Sequence, residues 1–277
     1  MIGDLLLPTI LMPLLVMLAA AVASLRVAWA PLVGSLVAIL GAYGWIQGFR
    51  FSQPLNPTAM DGLWLMTLVA VLAASVNRWR GAAFILLGLP ISVWVVWVFA
   101  ASIGPIAWLG QVVALLVPVA LVAYSAESRD DPAEVTRGFW MSGFLVAPVA
   151  ILAPTVGLAG SIKLAEIAGA MGVVMAACWW VNCAAPMISG WSVSRLWQRL
   201  LVTLTLPLMW VALTAYHLVD VPVLALLAAA LPWLTVSLFR AWLSTRRWWL
   251  QLAVLVAVTA LPLVFSLWYV WPEQSMY

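Results

Sequence analysis

Charge is the scarcest property of this chain. Only 8% of its 277 residues are Asp, Glu, Lys or Arg, against about 25% in an ordinary soluble domain. So few polar side chains cannot cover a core with a wetted surface, which excludes a water-soluble globular fold. Hydrophobic residues make up 66%, so lipid is the solvent for most of the exterior.

Other scarcities remove whole classes of chemistry. His217 is the only histidine, so a haem held by two histidines is impossible. The two cysteines, Cys178 and Cys183, lie in one apolar stretch. Five positions apart on a helix, they point in different directions and are poorly placed to bridge each other. They read as small buried hydrophobes. One His and two Cys also make a zinc or iron–sulfur centre implausible. No Gly-rich phosphate loop, HExxH or Gly-x-Ser-x-Gly elbow is present. No cofactor is expected. The formal charge of +3 is no nucleic-acid signal, because the basic residues read better as determinants of membrane topology.

What the chain does have is long apolar runs. Crossing hydrocarbon takes about 20 apolar residues of helix. Backbone groups in lipid must pair internally, so the spans are helices or a closed barrel. A barrel would alternate polar and apolar residues, whereas these runs are apolar all round. The predicted fold is all-α: a polytopic transmembrane bundle of about ten spans. They fall near 5–24, 29–47, 61–77, 82–102, 105–124, 138–159, 164–188, 197–216, 219–239 and 248–270. The longest connections, 48–60 and 125–137, are too short for a soluble domain, so residues 1–277 form one membrane domain. The first run lacks a basic leader, Asp4 being its only early charge, and is expected to stay as the first helix.

Basic residues orient the bundle. If the N-terminus is outside, ten of the twelve Lys and Arg fall on cytoplasmic connections, from Arg26 to Arg247, leaving Arg50 and Lys163 outside. The positive-inside rule predicts this alternation. It places both termini on the non-cytoplasmic side of an inner, cytoplasmic membrane. Many of the 19 Trp, such as Trp29, Trp64, Trp108, Trp197 and Trp248, fall where spans should meet headgroups, the depth that suits an indole.

Ten spans divide at 125–137 into five plus five. An odd number per half would invert one half against the other. Spaced 135 residues apart, Gly34 matches Gly169, Trp45 matches Trp180 and Gln47 matches Asn182. Prolines interrupt many spans, Pro148, Pro207 and Pro262 among them, and each removes a backbone donor.

Three groups of residues could carry chemistry. Gln47, Glu166 and Asn182 could line a polar or substrate site; Glu166 can meet Lys163 at i, i+3. Asp61, His217 and Asp220 form a candidate outer-face polar cluster. Ala168, Gly172 and Ala176 recur every four residues and make a small-residue face for close helix packing, which predicts that their helix is central. The order of cysteine, arginine and histidine here is similar to that of exosortase-type membrane transpeptidases. Arg195 and Arg199, however, fall at the cytoplasmic ends, a membrane thickness from His217, so that resemblance is rejected.

No catalytic residue stands out. The first functional expectation is a non-catalytic accessory or scaffold subunit of a larger inner-membrane complex, with lipid and other membrane subunits as partners. The alternative is a small-molecule or lipid transporter with a five-plus-five inverted repeat. The third is a membrane enzyme acting at the outer face. The topology is directly testable. A single cysteine introduced at Ser128 should be labelled from the cytoplasmic side only, and one at Ser52 from the outside only; the reverse pattern overturns the orientation.

Overall fold

The computed structural model of the protein describes residues 6–47, 60–75, 93, 97, 104–113, 133–184 and 195–271. Among them every regular element is a helix. α1 runs Leu7–Ala23, and its opening turn, Leu7–Leu11, is wound as a π-helix. α2 is Ala30–Gln47 and α3 is Asp61–Ser75. α4 covers 105–113. α5 is Ala133–Leu158, α6 Ile162–Ala184, α7 Arg195–Thr203, α8 Thr205–Val219, α9 Val223–Ser244 and α10 Trp248–Val270.

Four stretches are long and apolar enough to cross a membrane: Ala30–Gln47, Ile162–Val181, Arg199–Val219 and Trp248–Val270. Shorter apolar helices accompany them at Leu7–Ala23, Asp61–Ser75, Gly143–Leu158 and Val223–Phe239. The expected span 82–102 and the second half of 105–124 lie outside the described residues, apart from helical positions 93 and 97. α5 starts at Ala133, several residues before the expected 138.

The expected span 197–216 is one apolar path broken at Leu204 into α7 and α8. Pro207 explains the break: it has no N–H to give the Thr203 carbonyl one turn back. Two threonines beside the break turn their hydroxyls onto backbone carbonyls, Thr203 Oγ1 to Leu200 O at 3.2 Å and Thr205 Oγ1 to Val202 O at 2.6 Å. Such back-bonding bends helices. The path resumes through Leu208 N–H to Leu204 O at 3.4 Å.

This bent path is the most buried of the four long apolar stretches. Of the Arg199–Val219 stretch 61% is buried, against 50% for Ile162–Val181 and 17% for Trp248–Val270. The small-residue pattern had pointed to α6 as the central helix, and α6 does pack against α1, α2, α5, α7 and α8; α7–α8 adds bulk beside it, with the indoles of Trp197 and Trp210 fully buried. Trp197 therefore packs inside the bundle rather than on its surface.

Small residues set how closely the helices approach. α1 and α2 form one antiparallel hairpin, with Gly34 against Ala20 and Gly41 against the end of Met12. α5 and α6 form another, with Gly157 against Ala165 and Gly172 against Val149. Of the α6 stripe, Ala168 is fully buried and Gly172 and Ala176 are half-buried.

Hydrogen bonds tie the outer helices on. Trp233 Nε1–H donates to Leu145 O at 3.1 Å, joining α9 to α5. Ser266 Oγ donates to Ala225 O at 3.3 Å, joining α10 to α9. Buried Gln251 donates to Leu243 O at 2.9 Å and to Arg246 O at 3.1 Å, closing the α9–α10 turn. In an apolar surrounding each such bond is worth about 1 kcal/mol.

The glycines differ in what a side chain would meet. A methyl at Gly34 would overlap the Ala20 methyl, which has no rotamer into which to escape, whereas at Gly41 it meets only the flexible tip of Met12 and at Gly110 open space. Gly34→Ala should therefore destabilise the protein by about 1–3 kcal/mol, Gly41→Ala by less, and Gly110→Ala not at all. Thermal unfolding of the purified protein in detergent checks the order; equal losses at Gly34 and Gly110 would refute the close packing.

Candidate functional site

Four chain segments end or begin around one cleft. They are the end of α2, the start of α3, the α5–α6 turn and the end of α8. The cleft holds about 500 Å³ and is lined by Gln47, Met60, Ala159, Gly160, Ser161, Lys163, Leu164, Leu218, Val219 and Asp220. Its size suits a small molecule, since ligand pockets run from about 300 to 1,000 Å³.

Local sequence explains each wall. α5 gives way to a turn at Ala159–Gly160, where Gly160 takes a φ of 111° that a side chain would resist. Ser161 then caps α6, its Oγ accepting the Leu164 N–H at 3.3 Å, and Lys163 follows in the first turn. On the opposite wall α8 ends at Asp220, which is left-handed with φ 54° and ψ 33°. Aspartate is one of the few residues that tolerate this conformation. The next N–H, of Val221, folds back to Ala215 O at 3.3 Å, and Pro222 starts the next segment in an extended conformation.

Gln47 closes α2. Its Nε2 is buried and has no hydrogen-bond partner, a state that costs about 1–3 kcal/mol unless something fills the gap. Tyr43 lies one turn below on the same face of α2. Its hydroxyl donates to Asp61 Oδ1 over a long 3.4 Å. Asp61 follows Met60 of the cleft wall and is only 3% exposed, and its carboxylate suits the positive end of α3. Thr214, one turn below Leu218 on α8, has a buried Oγ1 that is likewise unpartnered.

The residues singled out from the sequence are divided among different neighbours. Gln47 and Asp220 share the cleft with Lys163. Glu166 is half-buried one turn along α6 from the exposed Lys163 and is not among the lining residues. The backbone of Asn182 stands about 28 Å further along α6 than Lys163, at 1.5 Å per residue, so Gln47 and Asn182 belong to opposite ends of the bundle. Asn182's side chain lies outside the described residues. Asp61 turns to Tyr43, while His217 Nε2 meets Gln111 Oε1 at 2.9 Å and its ring stands edge-on to Tyr216. The three members of the outer-face cluster thus have three different surroundings. Among the described residues no group of three or more His, Cys, Asp or Glu could hold a metal ion.

Tyr43, Ser161 and Thr214 escaped the sequence reading. Tyr43 had a usable signal, its i, i+4 spacing from Gln47. The threonine had none, because a hydroxyl in an apolar helix ordinarily bonds its own backbone.

The electrostatics of the cleft are two-sided. Lys163 and the N-terminal turn of α6 make one side positive, and Asp220 with the C-terminal carbonyls of α8 makes the other negative. Met60, Leu164, Leu218 and Val219 add apolar surface to the same lining. No family model matches the chain, and neither a curated protein nor a solved structure resembles it.

The left-handed turn at Asp220 makes a prediction that separates its backbone from its charge. Asp220→Asn and Asp220→Gly should unfold at the native temperature, because both residues accept this conformation. Asp220→Val should lose about 1–2 kcal/mol. Thermal unfolding in detergent decides; a valine variant as stable as the asparagine variant would show that the turn carries no strain.

Proposed function

We propose that the protein is a membrane carrier for a small polar solute and that the cleft is its outward-facing mouth. The observation that carries this reading is the wall of the cleft: a lysine, an aspartate and Gln47 line one space of about 500 Å³. A subunit that only fills and braces a complex has no use for such a space, and lipid would not fill it favourably.

The carrier reading rests on ten spans, both termini non-cytoplasmic, in an inner membrane. One fact supports the alternation of the spans, while the side that each end faces rests on the charge count. The positions around the cleft, 47, 60, 159–164 and 218–220, come from the connections that the basic-residue rule assigns to the outer side. The break at Leu204, in the most buried path, offers a point where one part of the bundle can bend against another. The reading is non-enzymatic: Glu166, His217 and Asp61 do not converge on the cleft lining, which weakens the outer-face enzyme.

A second reading, the accessory subunit, draws on the α9–α10 flank, where Leu231, Leu238, Leu261 and Trp268 are exposed. Lipid covers such a flank as well as a partner does, so it ranks below the cleft.

Reconstituted proteoliposomes test the proposal. With a panel of labelled amino acids, small carboxylates and polyols, the protein should carry at least one solute. Gln47→Leu should slow that flux about tenfold, as expected when one buried polar contact to a solute is lost, without lowering the unfolding temperature. Absence of flux, together with stoichiometric co-purification of other membrane proteins, would overturn the carrier in favour of the subunit.

A further inference from the structure

We infer that the outer face of α9 and the α9–α10 turn form a docking surface for an acidic phospholipid, with its phosphate at Arg246 and Arg247 and an acyl chain along the leucines of α9. The inference does not rest on the carrier reading.

The apolar half of the surface is a single stripe. Leu224, Leu227, Leu231, Leu234, Leu238 and Trp242 are all exposed, and their spacing puts them on one face of α9. Arg246 continues the spacing just past the helix end. Its guanidinium lies over the Trp242 ring, 4.8 Å from the centroid. An indole face attracts the charge without using the N–H groups, which stay available to phosphate oxygens. Arg247 follows and is exposed, and Trp248 and Trp249 open α10 with exposed rings. Hydrogen bonds order the turn that carries both arginines. Gln251 donates to Leu243 O and Arg246 O at 2.9 and 3.1 Å, and Thr245 Oγ1 donates to Trp242 O at 2.8 Å. A backbone already ordered lowers the cost of binding.

Charge selects the occupant. From 221 to 272 the sequence has three arginines, Arg240, Arg246 and Arg247, and no acidic residue. α5, which packs on both α9 and α10, opens with Glu134 and Arg137, whose charges sum to zero. Among the described residues neither Arg246 nor Arg247 makes an ion pair. A second copy could cover the leucine stripe. Both copies would cross the membrane in the same sense, however, so a two-fold pairing of α9 would bring their arginines together. A zwitterionic lipid brings a positive group along with its phosphate. A free phosphate would leave the stripe unused. An acidic phospholipid meets both halves at once. Guanidinium groups suit phosphate oxygens, and basic residues at the end of a span attract acidic lipid.

The test uses the full-length protein in nanodiscs with equal amounts of phosphatidylglycerol and phosphatidylcholine, and native mass spectrometry of the lipids it retains on release. Phosphatidylglycerol should be retained about tenfold over phosphatidylcholine. Arg246→Gln combined with Arg247→Gln should bring that ratio to about one, with the unfolding temperature in pure phosphatidylcholine unchanged. If the double variant unfolds early, Arg246→Gln alone decides, and should lower the ratio about threefold. Arg26→Gln, an exposed arginine at the α1–α2 turn, should leave the ratio at its native value, which separates this surface from a general attraction to positive charge. Equal retention of the two lipids by the native protein, arginine variants that keep the preference, or its loss on Arg26→Gln would overturn the inference. So would inorganic phosphate that raises the unfolding temperature in phosphatidylcholine as much as phosphatidylglycerol does, since the arginines would then serve a free anion. Disulfide-linked dimers that form only in Leu231→Cys would likewise overturn it, by giving the stripe to a second copy.

Discussion

Hydrocarbon offers a backbone no partner, so every N–H and C=O in a span must be satisfied by its own helix or by a near neighbour. The rest of this structure follows from that constraint. It explains why the described elements are helices, and why the places where the helical ladder fails carry the local features. At Pro207 the ladder fails in mid-span, and the helix divides into α7 and α8 with two threonine hydroxyls turned onto nearby carbonyls. At the helix ends the ladder fails by necessity, and the free donors and acceptors there are met by Ser161, Asp220 and the returning Val221 N–H. The same exposed ends give the cleft its two-sided field. The polar chemistry gathers at helix termini because those are where unpaired backbone dipoles can be tolerated.

Lipid also removes the hydrophobic force between helices, since a neighbouring side chain is no more apolar than an acyl chain. Association then depends on close contact and on hydrogen bonds between helices. Gly34 on Ala20 and Gly172 on Val149 provide the contact. Trp233 on the Leu145 carbonyl and Gln251 on the α9–α10 turn provide the bonds. α10, with the smallest share of its surface buried, is held by such bonds at both its ends. The tightly packed hairpins and the loosely covered flank therefore differ in burial, and the hairpins supply walls of the cleft.

Much of the architecture was legible residue by residue. Long apolar runs bounded by Arg, Trp or Pro marked the helices, because span length is dictated by bilayer thickness and leaves little freedom. The α6 stripe of Ala168, Gly172 and Ala176 was visible, since period-four small residues have few other uses in such a helix. The candidate site was legible only in part. Gln47 and Asp220 were picked out as polar residues in apolar surroundings, but grouped with the wrong neighbours. Pairing Gln47 with Asn182 assumed that matched positions meet, whereas the length of α6 keeps them at opposite ends. Asp61, read as a surface group, is buried against Tyr43 because α2 and α3 pack along each other at that end.

The sequence by itself determined the helical class, the positions of the long apolar runs and the distribution of positive charge, because each depends on composition or spacing along a single chain. Only the tertiary structure decided that α7–α8 is the most buried long stretch, that Trp197 is buried, and that Gln47, Lys163 and Asp220 share a cleft while His217 faces Gln111. Those outcomes depend on which helix faces meet. In a chain apolar on every side, no amphipathic stripe records that choice, and it is made by the fit of a few small residues and by where each helix stops.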